Sequence, residues 1–412
     1  MRLKNVFPVG GFVRDKLMGL EPKDIDYVVI GETPETMLSL GFEKVGKDFP
    51  VFLHPSSHDE YALGRVDKKV GSGYYGFETF YGPDVTLEED LSRRDLTINA
   101  MAMMESGEII DPFGGQKDIQ NKVLRHTTEA FKEDPLRVLR VARFHARFGP
   151  EWQIHPSTVE LMKEIHLSGE LEHLTPERIW KEMEKALSEK HPQLFFEALN
   201  GFGIFPEIDA MVGVKQPPLH HPEGDVFVHT MLVLKRAAEL NFSMHTRFAA
   251  LCHDFGKPVT YAERGNLLGH EQAGVSVVKA FCERLKIPNS FRDIAMLTSD
   301  NHTRSHCFFE MKPSKIYKLL IEKMNAEVHP ERLNEFLDAC IADAQGRTGK
   351  FATQPYPQAE AIKKIFTALT KVNKKALVKN IMEKGFTGKK IGEQVREAQI
   401  RVIRLELNKM QN

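Results

Sequence analysis

Near residue 126 the sequence changes its hydrophobic period, and that change sets what the chain can build. Before it, apolar residues fall in short runs: 6–9 (VFPV), 25–30 (IDYVVI), 51–53, 60–63 and 108–110. Runs this short, bounded by glycine or charge, have the length of strands. Gly10-Gly11 separates the first run from a short helical stretch at 12–18. Residues 64–82 hold five glycines and three tyrosines and are expected to form a mobile loop. After residue 126, apolar residues recur at helical spacing, as in DPLRVLRVARFHARF and TPERIWKEMEKALSE. Prolines near 150, 156, 176, 192, 206, 217–218 and 222 punctuate these segments. The expected fold class is α+β, a small mixed-sheet head followed by an all-α remainder. The expected boundaries are 1–125 for the head, 126–225 for a helical neck and body, 226–345 for a histidine-rich domain and 346–412 for a basic helical tail.

Composition narrows the function classes. Hydrophobic content of 42% and charged content of 27% suit a globular chain. A length of 412 residues suggests roughly two to four domains. No apolar run approaches the roughly 18 residues a membrane span needs, and the first residues lack a signal-peptide core. Cys252, Cys282, Cys307 and Cys340 are widely spaced, without a CxxC. That usage suits a reducing cytoplasm, the expected location, rather than a disulfide framework or zinc finger. The net charge of −1 hides an asymmetry: residues 361–412 carry 13 Lys or Arg against 4 Asp or Glu. Such an end is either a footprint for a phosphate backbone or a solvated helical face.

Asp24 and Asp26 stand at i and i+2 at the entry to a strand, so both carboxylates should project from one face. Two hard acids side by side need a cation, and oxygen ligands suit Mg²⁺, which also takes triphosphate oxygens. Two such ions can activate a hydroxyl and stabilise leaving pyrophosphate. A lone D-x-D is usually structural or solvated; its context decides. Gly10 and Gly11 lie between a strand and a helix, where small residues let backbone N–H groups approach phosphate. Arg14, one turn in, suits the same anion. The string GGFVRDKLMGLEPKDID resembles the signature of the DNA polymerase β-like nucleotidyltransferase superfamily. More narrowly, it is similar to the branch holding class II tRNA nucleotidyltransferases and bacterial poly(A) polymerases.

EDLSRRDLTINAMA (89–102) matches that branch's next motif. The resemblance implies that Arg94 contacts the nucleotide and Asp95 lies near the ribose. Arg93 serves either phosphates or a salt bridge. Glu60, on a predicted strand, is a candidate third carboxylate. In EDPLRVLRVARF (133–144), Asp134 and Arg137 are spaced i, i+3, which makes them neighbours on a helix face; Arg140 and Arg143 continue the row. Cytosine and adenine both offer an amino donor beside a ring-nitrogen acceptor. An Asp acceptor beside an Arg donor complements both, whereas uracil and guanine would leave buried groups unpaired. The resemblance implies that Asp134 and Arg137 read the base while Arg140 and Arg143 hold phosphates or ribose. The plain alternative is a helix of ion pairs. ERIWKE (177–182) resembles a segment of the helical neck, so the match spans roughly residues 5–205.

The middle of the chain is rich in histidine. His253-Asp254 is an adjacent pair; His229 precedes it, and His270, His302, His306 and Asp343 follow. Two imidazoles and two carboxylates make a mixed N/O site for a divalent transition metal such as Ni²⁺ or Mn²⁺. The order H…HD…D resembles the HD phosphohydrolase superfamily, in which His229, His253, Asp254 and Asp343 match the metal ligands. His270 and His302 would orient phosphate or bind a second ion. Lys257 is typical of the same motif. His220-His221 are read as part of a proline-rich linker.

Head, templating helix and HD segment together resemble the bacterial multifunctional CCA-adding family. That family implies CCA addition to tRNA from CTP and ATP, with phosphohydrolase activity on damaged RNA ends, 2′,3′-cyclic phosphates included. It implies no membrane partner and a monomer, with a dimer as the alternative. The tail, with GFTGKKIGEQ (385–394), would grip the tRNA elbow through its phosphates. Two other readings stay open: a poly(A) polymerase sharing the same head, and a non-catalytic RNA-binding protein with a decayed site.

Overall fold

Two sets of residues bury separate cores. The structure, a computed structural model, describes residues 3–45, 51–69 and 77–411. It divides into the units Met1–Ile204 and Phe205–Asn412.

The first unit begins with strands β1 (Val6–Val9), β2 (Asp26–Val29), β3 (Glu43–Val45), β4 (Val51–Leu53), β5 (Glu60–Leu63), β6 (Arg65–Lys69), β7 (Phe77–Tyr81), β8 (Ala102–Met103) and β9 (Ile109–Ile110). Seven of them form one mixed sheet in the order β3-β4-β5-β2-β1-β8-β9. The β2–β5 pair is parallel and the others are antiparallel. Alternation along β2 assigns its faces. Val28 packs with Val9, Leu91, Ala100 and Ala102, while Val29 packs with Met37, Phe42, Phe52 and Leu63. Asp26 therefore shares the face of Val28 and of its register partner Val9.

The expectation of a loop at 64–82 holds only in part. Strands β6 and β7 pair antiparallel from Arg65↔Tyr81 to Lys69↔Phe77; residues 70–76, where the central glycines and two of the tyrosines fall, lie outside the described residues. The glycine count hid two ordinary flanking strands. The other short runs fold as expected, and β3 and β8 are additions too short and too plain to stand out.

Beyond the sheet, helices Leu136–Phe148, Pro156–Leu167, Pro176–Ser188 and Gln193–Leu199 complete the first unit. Pro156 and Pro176 open the helices they begin, where the missing N–H costs nothing.

Among its described residues the regular elements of the second unit are all helices, with one isolated bridge at Lys215↔Asp225. Its largest core gathers Phe308, Ile316, Phe336, Leu337, Ile362, Ile365, Leu369, Ile403 and Leu407. A smaller core of Val233, Ala237, Ala250 and Ala342 joins helices Val226–Glu239, Met244–Cys252 and Pro330–Gln345. Three alanines at that junction let the helix backbones approach closely, and these same helices carry or border His229, His253 and Asp343. Helices Pro357–Thr370, Lys374–Glu383 and Lys389–Gln411 form the basic end. The four cysteines are free thiols. Among the described residues no helix is long and apolar enough to cross a membrane.

Candidate active sites

The first site opens where β1 ends. Gly10 has φ 67 and begins the helix Gly11–Leu17. A Cβ on Gly10 would sit 2.9 Å from an Arg94 guanidinium nitrogen, so its backbone and that arginine require a residue without a side chain. The resulting cleft, of about 560 Å³, is lined by Gly10, Gly11 and Asp26, and by nine arginines against three aspartates. Such an excess of guanidinium focuses a field suited to a polyanion.

Asp26 is exposed at the entry to β2, yet its carboxyl ionises above the ordinary range. Restricted solvation is the main cause and the charge of Asp24 adds to it, while Arg94 opposes both. Asp24 is exposed, precedes the strand, and does not line the cleft. Glu60 is the register partner of Asp26 across β2–β5. It therefore shares the same sheet face but is likewise outside the lining.

The helix Leu136–Phe148 lines the cleft with Arg137, Arg140, Arg143 and Arg147, while Val138, Leu139, Val141 and Ala142 are buried. Arg14, Arg140 and Arg143 all lie against the Phe144 ring, at 5.3, 5.9 and 4.6 Å from its centroid. Asp134 is not on this helix face, contrary to the i, i+3 expectation. It precedes the helix in extended conformation, and its carboxylate accepts the backbone N–H of Leu136. Both its oxygens also accept from Arg178, at 3.1 Å each. Arg137 donates to the backbone carbonyls of Ala130 and Arg93, at 2.5 Å each. Both side chains still line the cleft.

Other sequence candidates serve as braces. Asp95 accepts from Arg140, from Asn99 and from the Leu96 N–H. Burial alone would raise its pKa, but Arg140 and these hydrogen bonds hold the carboxyl well below the usual range. Arg143 donates to Glu182 at 2.6 Å, both buried. Arg14 donates to Asn99 at 2.5 Å and to Asp15 at 2.8 Å.

Asp90, whose role no local pattern announces, organises the double arginine. It is fully buried and pairs with Arg93 at 2.6 Å and Arg94 at 3.1 Å. It also accepts the Arg65 N–H. Burial alone would raise its pKa; the two guanidinium charges more than reverse that. Asp90→Asn is therefore expected to destabilise the protein by about 2 kcal/mol in urea unfolding at pH 7, since two half-buried cations lose their buried counter-charge. The pKa is depressed on folding, so this stability is present above about pH 4 and is lost as the pH falls further. The gap between wild type and variant should narrow there.

The second site is a knot of imidazoles and carboxylates in the helical unit. His229, His253, Asp254 and Asp343 are all buried. The Nε2 of His229 lies 3.1 Å from Asp343 Oδ1 and 4.0 Å from Asp254 Oδ2. The Nε2 of His253 lies 3.1 Å from Asp254 Oδ2 and 3.9 Å from Asp343 Oδ1. His253 Nδ1 donates to the Ala250 carbonyl at 2.7 Å, which turns Nε2 inward. His270 and His302 bring their Nε2 atoms to 3.5 and 3.6 Å from Asp254 Oδ1. Among the described residues three groups satisfy the spacing for an ion: His221/Glu223/His229, His229/His253/Asp343 and Asp254/His270/His302. Gly256 makes the last possible, since a Cβ there would meet the His270 carbonyl at 1.9 Å.

Electrostatics agree with that geometry. Burial would raise the pKa of Asp254, but His253 and Lys257 hold it far below the usual range; His306 and His253 do the same for Asp343. Burial pulls His302 down to about 3, leaving its ring neutral. Asp254 Oδ1 has no hydrogen-bond partner, while Oδ2 faces Lys257 Nζ at 2.6 Å and His253 Nε2 at 3.1 Å. Buried imidazole nitrogens and carboxylate oxygens converging on one point fit the donor set of a divalent cation.

His221 belongs to this site rather than to a linker. Its Nδ1 lies 3.1 Å from Glu223 Oε1, and the same oxygen lies 2.9 Å from His229 Nδ1. Burial lowers His221 to about 4. Glu223 thus backs a candidate ligand from behind, a role no local pattern announced. His306 backs Asp343 at 2.6 Å and contacts the Tyr356 hydroxyl at 3.0 Å.

Three stretches match known families: the Poly A polymerase head domain at residues 6–125, the probable RNA and SrmB- binding site of polymerase A at 152–211, and the HD domain at 226–344. A Multifunctional CCA protein of Shewanella denitrificans is 50% identical over 404 residues, covering 97% of this chain and 96% of that protein. The chain belongs to the multifunctional CCA protein family. Among solved structures, the Bacillus stearothermophilus CCA-adding enzyme in complex with CTP has a TM-score of 0.61 at 24% identity, covering 98% of this chain and 89% of that one. The Thermotoga maritima CCA-adding enzyme complexed with tRNA_CCA has a TM-score of 0.61 at 20% identity, covering 98% and 91%. Both show a shared fold. The head and the HD domain of this family each imply a divalent metal, and the clustered carboxylates and imidazoles described above fit that need.

Proposed function

We propose that this protein adds and repairs the 3′-terminal CCA of tRNA from CTP and ATP, and that its HD domain hydrolyses phosphate esters at RNA ends. The observation that carries the first part is the arginine-lined cleft with Asp26 at its edge, in a chain half identical to a protein named for CCA. Relatives solved with CTP and with tRNA_CCA support the same substrates.

In this reading the arginines of the cleft neutralise the triphosphate, and Asp24 and Asp26 hold Mg²⁺, with Glu60, the register partner of Asp26, as the third carboxylate beside them. When bound, Mg²⁺ supplies charge neutralisation at the attacking hydroxyl and the leaving pyrophosphate. The residues themselves set position and base identity. Arg178 fixes the Asp134 carboxylate, which still has lone pairs for an exocyclic amino group. Arg137 spends two N–H groups on backbone carbonyls and has others for a ring nitrogen. Gly10, Gly11, Arg14 and Arg94 contact the phosphates, and Arg140 and Arg143 stiffen the wall through Asp95 and Glu182. The exposed, basic C-terminal helices grip the tRNA body through its backbone.

In the HD centre, His229, His253, Asp254 and Asp343 hold a transition metal such as Ni²⁺ or Mn²⁺, with His270 and His302 on a second ion or on the phosphate. The metal supplies a lowered pKa for bound water and polarisation of the phosphorus. Substrates of this centre are 2′,3′-cyclic phosphates, 2′-nucleotides and phosphomonoesters at RNA ends. The protein works in the cytoplasm as a monomer.

The test is incorporation on tRNA lacking its terminus, with CTP and ATP supplied together. Addition of C, C and A that then stops is the expected result. A long A tract with CTP ignored would replace this reading with poly(A) synthesis. No incorporation at all would leave only RNA binding.

A further inference from the structure

Beside the HD cluster lies a cavity of about 710 Å³ with two unlike walls. One wall is cationic. Lys215 has no carboxylate partner among the described residues, and Lys257 reaches Asp254 at 2.6 Å. Arg347 stands 3.8 Å from Asp343, and its buried Nε has no hydrogen-bond partner. The other wall is apolar and half-open: Tyr261, Leu267 and Leu268. Leu268 is 77% exposed, which a short loop in a well-packed unit does not require.

The loop that shows Leu268 is also tied to the metal-type cluster. It runs from Gly265 to Gly269, both left-handed at φ 67 and 81, which closes a turn of five residues between two helices. Asn266 Oδ1 accepts the Leu268 N–H at 3.0 Å and fixes the tip. The Leu267 carbonyl accepts from His270 Nδ1 at 2.8 Å, so the same loop aims His270 Nε2 at Asp254. An exposed leucine alone is unremarkable on a protein surface. Held rigidly on the rim of a cationic, carboxylate-and-imidazole centre, it forms half of a bipolar site.

We propose that this cavity is a terminal-nucleotide subsite, in which Tyr261, Leu267 and Leu268 take the base of the last nucleotide of an RNA strand while Lys215, Lys257 and Arg347 take its 2′- or 3′-phosphate. The proposal deepens the hydrolytic reading of the HD centre and rests on it. A nucleobase has two apolar faces and suits a wall of leucine and tyrosine. A phosphate suits the three cations opposite. The HD centre then prefers nucleotides to small phosphate esters of equal charge.

The test uses the full-length protein with its head cleft filled by saturating CTP. Adenosine 2′-monophosphate and glycerol 2-phosphate are titrated calorimetrically onto metal-stripped protein, where hydrolysis is absent. With Mn²⁺ restored, kcat/KM is measured for 2′,3′-cyclic AMP, for glycerol 2-phosphate and for a short RNA ending in a 2′,3′-cyclic phosphate. Leu268→Ser is expected to weaken adenosine 2′-monophosphate about fivefold, the share of one apolar contact. The preference for 2′,3′-cyclic AMP over glycerol 2-phosphate should fall by the same factor through KM. Arg347→Gln should weaken both phosphates together. Equal binding of the nucleotide and glycerol 2-phosphate by wild type, or a preference untouched by Leu268→Ser, would overturn the subsite. Binding of the mononucleotide with exclusion of the RNA would overturn the RNA terminus as its occupant. If wild type binds the nucleotide selectively yet hydrolyses nothing, the subsite stands and the hydrolytic reading fails.

Discussion

Replacing Asp26 by alanine is expected to cut nucleotide incorporation into truncated tRNA by about a thousandfold, with Asp24→Ala falling in the same direction. The size follows from what the carboxylate would do. A metal that neutralises developing charge contributes several kcal/mol to the transition state, and about 4 kcal/mol is a thousandfold in rate. The stability arm separates function from structure. Asp26 is exposed and its carboxyl ionises less readily than an ordinary aspartate, because solvation is restricted and Asp24 repels it. A carboxylate whose folded pKa is raised costs stability at neutral pH, so Asp26→Ala should unfold no earlier than wild type. Thermal unfolding and the HD hydrolysis of 2′,3′-cyclic AMP are the controls. Unchanged nucleotide transfer in either variant would sink the metal assignment.

What was legible in the sequence was local. β1, the glycine turn, the first helix and β2 fall within one stretch of chain, so period and composition suffice to place Asp26, Arg14 and Gly10. The arginine helix was equally plain, because its charges and apolar residues alternate at helical spacing. What failed was distance. Asp134 owes its orientation to Arg178, 44 residues away, and Arg143 is held by Glu182, 39 residues away. Neither pairing leaves a mark in its own neighbourhood. Asp134 also shows how a right spacing can mislead: i, i+3 implied a shared helix face, but Pro135 starts the helix one residue too late. In the HD unit the ligand candidates were found by order along the chain, while Glu223 and Tyr356 were not. Their roles come from packing across helices, as between His229 and Asp343, 114 residues apart. Asp90 is hidden for the opposite reason: an acid in a charged motif looks solvated until burial makes it a counter-ion to two arginines.

The second large effect concerns His253. His253→Ala is expected to lower hydrolysis of 2′,3′-cyclic AMP at least about a hundredfold while CCA addition persists. The imidazole is held at Nδ1 by the Ala250 carbonyl, so its Nε2 has no role except toward Asp254 and Asp343. Deleting it removes one candidate ligand and leaves two buried carboxylates closer to an uncompensated state. Loss of a partner behind a metal ligand already costs tenfold to a hundredfold in affinity or activity, and loss of the ligand itself costs more. The head lies in a unit with its own core, and no residue of its cleft comes from beyond Arg178. Nucleotide transfer should therefore survive. Because the cluster is buried, the alanine variant risks local unfolding, so His253→Gln serves beside it: a polar side chain of similar size that keeps the volume but loses the imidazole. Both variants should show weakened Mn²⁺ binding by calorimetry, with unfolding of the whole protein little changed for the glutamine. Loss of both activities with the fold intact would contradict two separable sites. Full cyclic phosphodiesterase activity in either variant would remove His253 from the metal set and leave, among the described residues, Asp254/His270/His302 and His221/Glu223/His229 as the groups spaced to hold an ion there.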